Sequence, residues 1–160
     1  NKRLEIILLT MKLFIFFLLI LLDYSTKKII FNLIDLNTFI AVFPFMDITH
    51  IHNYGITFGL FFGILPAWII IVIGILLTTF IVIWMFRISN SLEKWGFLFI
   101  IAGAVSNLGD RIINDYVLDF IYMHYKNFYW PAFNFADIYI TIGILIIIYA
   151  NFMIFKKKYD

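Results

Sequence analysis

The chain has 160 residues and a formal net charge of +2 at pH 7, and 64% of its residues are apolar while only 14% are charged. A soluble domain has about 25% charged residues, so this composition indicates an integral membrane protein, here with a single domain. Because cysteine is absent, disulfides, thiol nucleophiles and cysteine-based metal sites are excluded.

Four apolar runs are long enough to cross a bilayer, which takes about 20 residues per helix. The predicted transmembrane spans are about 13–31, 65–86, 95–112 and 137–155. An earlier start of the first span, at residue 4, would bury Lys12, whereas the span 13–31 encloses Asp23. Lysine can extend toward an interface, which favours 13–31. Asp23 and Lys27 then share one helix face, and spacing alone predicts an ion pair without a chemical role.

Two segments between the spans are expected outside the membrane: a small β-element at about 32–64 and an outer loop or helix at 113–136. Within the first, Ile48–Phe62 partly alternates between apolar and polar residues, which predicts strands. His50 and His52 lie there two residues apart, with no third ligand suitably spaced. We therefore predict no metal site, and both histidines on one face of an exposed strand.

The basic residues are distributed unevenly between the two sides of a four-span protein. Eight of the twelve fall on the side of both termini, namely Lys2, Arg3, Lys12, Arg87, Lys94, Lys156, Lys157 and Lys158. The positive-inside rule therefore predicts that both termini are cytoplasmic. The β-element and the outer loop are then at the outer face.

Polar residues are concentrated between Gly103 and Asp137, and an ionised carboxylate there costs roughly 2.5–3.5 kcal/mol at membrane depth. Asn107, Asp110 and Arg111 share one face at the outer end of the third span. Asn134 precedes Asp137 by three residues at the outer start of the fourth span.

Asp119 and Asp137 are the candidate pair for chemistry. If the outer loop folds back over the helix ends, the two carboxyls converge, and one keeps a proton while the other activates water. That is the chemistry of an aspartic peptidase. Alternatively, Asp137 caps the fourth helix and Asp119 lies on a loop surface. Spacing alone leaves both interpretations open.

Five ordered sequence blocks resemble the lipoprotein signal peptidase (signal peptidase II) family. They are Asp23–Lys27 (DYSTK), Asn53–Phe58 (NYGITF), Gly103–Arg111 (GAVSNLGDR), Val117–Ile121 (VLDFI) and Phe133–Asp137 (FNFAD). They are similar to the family patterns D-x-x-[ST]-K, N-x-G-A-A-F, G-A-x-G-N-x-x-D-R, V-x-D-F-I and F-N-x-A-D. The resemblance implies an all-α membrane protein with four transmembrane helices and a small outer β-cradle.

The resemblance also implies a function and its residues. Asp119 and Asp137 are the implied catalytic dyad of an aspartic endopeptidase in the bacterial inner membrane. Residues implied to position the substrate are Asn53, Gly55, Asn107, Arg111 and Asn134. Residues implied as structural support are Asp23, Lys27 and Asp110.

The implied substrate is a prolipoprotein with a diacylglyceryl-modified cysteine, cleaved before that cysteine. Membrane lipid is an expected partner, globomycin an expected inhibitor, and a monomer is expected, without nucleic acid, metal or cofactor. Aromatic outer-loop residues are expected to roof the site, which suits a substrate that lies half in lipid; they are Phe120, Tyr122, Phe128, Tyr129 and Trp130.

The chain departs from the family patterns at three places. Ile56 and Thr57 replace a pair of alanines, which narrows the expected substrate cleft. Ser106 replaces a glycine at a helix contact, and Asp115 replaces a glycine, which adds a charge near the dyad. None of these removes a residue that the chemistry needs.

The sequence leaves two alternative functions open. A carboxylate-based proton or cation transporter would place its carboxylates at mid-membrane, on broken helices. A presenilin-type intramembrane aspartyl protease has the motif G-x-G-D, whereas Asn107 stands where its first glycine is expected.

Overall fold

The computed structural model describes residues 2–55 and 66–159. The elements in chain order are α1 (Lys2–Leu33), β1 (Phe39–Phe43), β2 (Met46–Asn53), α2 (Ala67–Arg87), α3 (Ser91–Asn114), β3 (Val117–Tyr125), β4 (Phe128–Tyr129) and α4 (Phe135–Tyr159). Within the described residues, four helices are long and apolar enough to cross a membrane. The predicted architecture, four apolar helices with a small antiparallel sheet, is confirmed, and the protein is a multi-pass membrane protein.

The helices α1, α3 and α4 extend beyond the predicted spans at both ends. The 32 residues of α1 correspond to about 48 Å of helix, more than the roughly 30 Å of a hydrocarbon core. Hydropathy marks where a helix enters lipid, whereas backbone hydrogen bonding and caps mark where it ends. At α3, for example, the Asn90 side chain accepts from the backbone N–H groups of Leu92 (2.8 Å) and Glu93 (3.2 Å).

The four strands form one antiparallel sheet in the order β1-β2-β3-β4. The β-element was therefore predicted correctly for β1 and β2, while its end at 56–64 lies outside the described residues. The outer loop was predicted incompletely, because it contains β3 and β4. The first five residues of β3 are all buried. A strand buried on both faces shows an apolar run in place of alternation, so its pattern did not indicate a strand.

A small core joins the sheet to the C-terminal end of α1. Ile30 of α1 packs against Leu118, Phe120 and Ile121 of β3. This contact holds β3 across the ends of the membrane helices. Phe120 is 2% exposed, so it belongs to this core and the prediction that it roofs the site was wrong.

The two histidines of β2 do lie on one side of the strand, but His50 is only 4% exposed. Its ring contacts Phe31 of α1, and its Nδ1 lies 2.7 Å from the carbonyl oxygen of Ile34. Its Nε2 lies 3.0 Å from Nε2 of His52. The predicted exposed strand face was therefore wrong for His50, because the end of α1 covers it.

Small residues let α3 and α4 approach closely. A Cβ atom at Gly96 would lie 2.7 Å from the carbonyl oxygen of Gly143, and one at Gly143 would lie 2.5 Å from that of Gly96. Nearer the C-terminal end of α3, a Cβ at Gly103 would collide with the carbonyl oxygen of Ala136. Close approach through small residues is typical of membrane helix pairs, and here it determines the position of the first turn of α4.

Candidate active site

The predicted polar residues meet where the C-terminal end of α3, the first turn of α4 and the strands β2 and β3 come together. Asp119 and Asp137 both line a cavity of about 260 Å³ there. Asn53, Asn107 and Arg111 line the same cavity. The packing thus places these five residues around one space.

Asp119 lies on β3 and is 2% exposed, so the alternative that it is loop surface is wrong. The Asn53 side-chain amide donates to its Oδ2 at 2.9 Å, and the Asn134 side-chain amide donates to its Oδ1 at 2.7 Å. Burial, and next the nearby carboxyl of Asp137, raise the pKa of Asp119 to about 7. Near neutral pH, Asp119 can therefore hold a proton and donate it.

Asp137 lies in the first turn of α4, and its two carboxyl oxygens have different hydrogen-bond partners. Its backbone N–H donates to Oδ1 of Asn134 at 3.1 Å, and its Oδ2 accepts the backbone N–H of Asn134 at 3.3 Å. This reciprocal pair is a capping box, so the alternative interpretation of Asp137 as a helix cap is also correct. Its other oxygen, Oδ1, accepts from the side-chain amide of Asn107 at 2.9 Å, and the residue lines the cavity.

Arg111 connects α3 to the turn that follows β2. Its guanidinium donates to the carbonyl oxygens of Gly55 at 2.7 Å and Asn107 at 3.1 Å. The backbone N–H of Gly55 in turn donates to Oδ1 of Asn53 at 2.9 Å, which leaves the Asn53 amide nitrogen directed at Asp119. Arg111 and Gly55 thus determine how Asn53 meets the carboxyl.

The predicted ion pair of α1 forms, and it contacts the site. The Lys27 ammonium lies 2.7 Å from both Asp23 and Asp110, and it donates to Oδ1 of Asn107 at 3.1 Å. Asp23 also accepts the backbone N–H of Ala136 at 3.0 Å. The sequence indicated the pair, but its contact with Asn107, 80 residues away, had no signal in the spacing.

A second cavity, of about 510 Å³, lies against α4 and also reaches Asp137. Trp130 and Phe133 contribute to its wall, together with apolar residues of α4 such as Ile138 and Ile144. Asp137 therefore stands between two largely apolar spaces. Sequence reasoning missed the lining of the first cavity by α2, which includes Ile70, because α2 is apolar all round and its pattern marks no particular face.

The structure shows the surroundings of two of the three places at which the chain departs from the family patterns. Asp115 ends α3 with a left-handed backbone (φ 66°) and an exposed side chain, a conformation that glycine favours and aspartate tolerates. Ser106 is buried, and its hydroxyl has no partner on the described part of the chain. Ile56 and Thr57 lie outside the described residues.

Comparison with known proteins identifies the family to which this site belongs. The family model described as Signal peptidase (SPase) II matches residues 15–153. The chain belongs to the signal peptidase II family. It is 38% identical to the lipoprotein signal peptidase of Thermodesulfovibrio yellowstonii (84% of this chain, 90% of that protein). It is 42% identical to the lipoprotein signal peptidase of Wigglesworthia glossinidia brevipalpis (81% and 86%).

Comparison with solved structures agrees with this family assignment. A bacterial membrane enzyme whose structure was determined by the in meso method superposes with a TM-score of 0.80 at 28% identity, over 90% of this chain and 88% of that one. Signal peptidase II enzymes are proteases, so the chain is a hydrolase. Membership in this family argues against the transporter alternative. In the described ranges 2–55 and 66–159, no three histidine or acidic side chains cluster closely enough to hold a metal ion.

Proposed function

We propose that this protein is an aspartic endopeptidase of the bacterial cytoplasmic membrane that removes signal peptides from diacylglyceryl-modified prolipoproteins. Cleavage falls directly before the lipidated cysteine, with Asp119 and Asp137 as the catalytic residues. The observation that carries the proposal is the pair of carboxyls on one cavity, each with N–H donors at both oxygens. Family membership supports the substrate class.

In the proposed reaction, Asp119 begins protonated and Asp137 ionised. Asp137 accepts a proton from water as the water oxygen attacks the scissile carbonyl carbon, while Asp119 donates its proton to the carbonyl oxygen. In the second step, Asp119 takes a proton from the resulting gem-diol. Asp137 gives its proton to the amide nitrogen, and the C–N bond breaks. The products are a carboxylic acid on the signal peptide and a free amine on the cysteine.

The surroundings of Asp137 suit a substrate that is held in lipid. The two cavities that meet at this residue have mostly apolar walls, so apolar groups on both sides of the scissile bond can be buried. A lipid chain contributes roughly 0.8 kcal/mol for each buried CH₂ group. Diacylation therefore holds the scissile bond at the depth of the dyad. Globomycin is proposed to inhibit by occupying this cleft, and the protein is proposed to act as a monomer.

The test compares a lipidated precursor with the same precursor lacking the lipid, using purified enzyme in detergent. We expect much faster cleavage of the lipidated form, and a loss of about 10²–10⁴-fold in kcat for Asp119→Asn and for Asp137→Asn. Asp115→Asn removes an exposed aspartate at a position that tolerates asparagine, so it serves as the matched control with unchanged activity. Equal rates on both precursors, or full activity in either dyad variant, would reject the proposal.

A further inference from the structure

The side-chain amide of Asn107 has an oxygen and a nitrogen that face different partners. Its Oδ1 accepts from Lys27 at 3.1 Å and from the Asn134 amide at 3.3 Å. Its Nδ2 donates to Oδ1 of Asp137 at 2.9 Å. A carboxamide can be rotated by half a turn to exchange these two atoms, so a neighbouring group must select this orientation.

Lys27 is the neighbour that selects it. The ammonium can only donate hydrogen bonds, it is 4% exposed, and it is held at 2.7 Å by both Asp23 and Asp110. If the Asn107 amide were rotated, its NH₂ group would face the ammonium, and Lys27 and the Asn134 amide would each lose one hydrogen-bond acceptor. The loss of a buried hydrogen bond to a charged group costs about 1.5–3 kcal/mol in typical proteins, which disfavours the rotated form.

We propose that Lys27 is a positioning residue of the reaction, which holds the Asn107 amide so that its N–H faces Asp137 and thereby keeps Asp137 the ionised member of the dyad. This inference rests on the proposed function. With the observed orientation, both oxygens of Asp137 accept an N–H, one from Asn107 and one from the backbone of Asn134. That arrangement stabilises a carboxylate. Asp119 also accepts an N–H at both oxygens, but it is 2% exposed whereas Asp137 is only partly buried, so burial leaves the shared proton on Asp119.

The rotated amide would reverse the roles of the two carboxyls. Its oxygen would face Asp137, and only a protonated carboxyl can donate a hydrogen bond to it. The shared proton would then move from Asp119 to Asp137, and Asp137 could no longer act as the base that activates water. The charged groups of the elements packed against Asp137 are Asp23 and Lys27 of α1, Asp110 and Arg111 of α3, and Asp119 of β3.

The test replaces Lys27 and measures kcat, KM and the pH dependence of kcat/KM on the lipidated precursor. Lys27→Gln still reaches Asp23 or Asp110, but its amide offers a donor and an acceptor, so it no longer dictates the orientation of Asn107. We expect kcat to fall about tenfold or more. KM should stay within about twofold, and the acidic limb of kcat/KM should move upward by about one pH unit.

Two further variants test whether another donor-only cation can replace Lys27 and whether the loss of a neighbouring cation has the same effect. Lys27→Arg is also a pure donor, and Lys27 borders a cavity of about 380 Å³ that leaves room for a guanidinium, so it should restore most of the pH profile. Lys28→Gln removes the adjacent, exposed cation and should leave the profile unchanged. A lower kcat with an unmoved acidic limb in Lys27→Gln would reduce Lys27 to a structural role and overturn the inference.

A spectroscopic measurement tests the same inference without any Lys27 variant. The infrared C=O stretch of a protonated carboxyl, recorded in mildly acidic buffer, should disappear in Asp119→Asn and persist in Asp137→Asn. The opposite assignment would place the proton on Asp137 and overturn the inference. If either dyad variant keeps full activity, the proposed function fails; if both are inactive and Lys27→Gln has the wild-type profile, only the role of Lys27 fails.

Discussion

The Asp119 carboxyl is held in a setting that opposes its ionisation. It is 2% exposed, and burial together with Asp137 raises its pKa to about 7, while the amides of Asn53 and Asn134 act in the opposite direction. A carboxyl with a raised pKa stays protonated below that value and is ionised above it. A general acid at this position therefore works on the acidic side of neutrality.

We expect kcat/KM to fall as the pH rises through about 7, because Asp119 then loses the proton that it donates. Asn53→Ala removes an N–H donor that favours the ionised form, so it should raise the pKa of Asp119 further and move the alkaline limb to higher pH. The measurement is the pH profile of the purified enzyme on the lipidated precursor. An alkaline limb that Asn53→Ala moves to lower pH would contradict this assignment.

At the scale of the secondary-structure elements, the start of α4 determines where Asp137 lies. Asn134 and Asp137 cap this helix reciprocally, and the backbone N–H of Ala136 is held by Asp23 of α1. The same residues that end the loop and begin the helix thus present one carboxyl to the cavity. The hydrogen bonds that cap α4 are therefore the same contacts that position the Asp137 carboxyl of the dyad.

The close contact of α3 with α4 gives a prediction for glycine substitutions. In Gly103→Ala the new methyl would meet the carbonyl oxygen of Ala136 and lie 2.8 Å from Ile140, so the backbone of α4 must move beside Asp137. We expect a loss of about 1–3 kcal/mol in stability, with reduced kcat. Thermal unfolding and kinetics of the purified variant measure both.

Gly109→Ala is the matched control on the same helix. A Cβ atom there would meet nothing within 4 Å among the described residues. Alanine is also the better helix former, by about 1 kcal/mol in exposed positions. This variant should be as stable as the wild type or more stable, and equal losses in both variants would mean that helix contact is not the cause.

At the scale of the whole molecule, the uneven distribution of basic residues predicts the orientation in the membrane. We expect both termini in the cytoplasm, which would place the sheet and the dyad at the outer face. The chain contains no cysteine, so single cysteines can be introduced without background labelling.

We expect Asn127→Cys, in the exposed turn before β4, to react with a membrane-impermeant thiol reagent in intact cells. Lys157→Cys, near the end of α4, should react only after permeabilisation. The reverse pattern would put the dyad in the cytoplasm, where a substrate whose lipidated cysteine lies at the outer face is out of reach.

Properties that depend on local sequence were predictable from the chain alone. Hydropathy over about 20 residues marked four spans, because a helix in lipid must satisfy its own backbone and be apolar along its length. The five sequence blocks indicated the polar site residues through the family resemblance, and the i, i+4 spacing of Asp23 and Lys27 indicated their ion pair.

The tertiary structure alone decided what those residues touch. Asp119 is buried because β3 packs between β2 and the end of α1, and a strand enclosed on both faces carries no period that predicts it. Lys27 meets Asn107 across 80 residues of sequence, and Asn53 meets Asp119 across 66. Such contacts depend on how the helices and strands pack against one another, so the spacing of residues along the chain does not predict them.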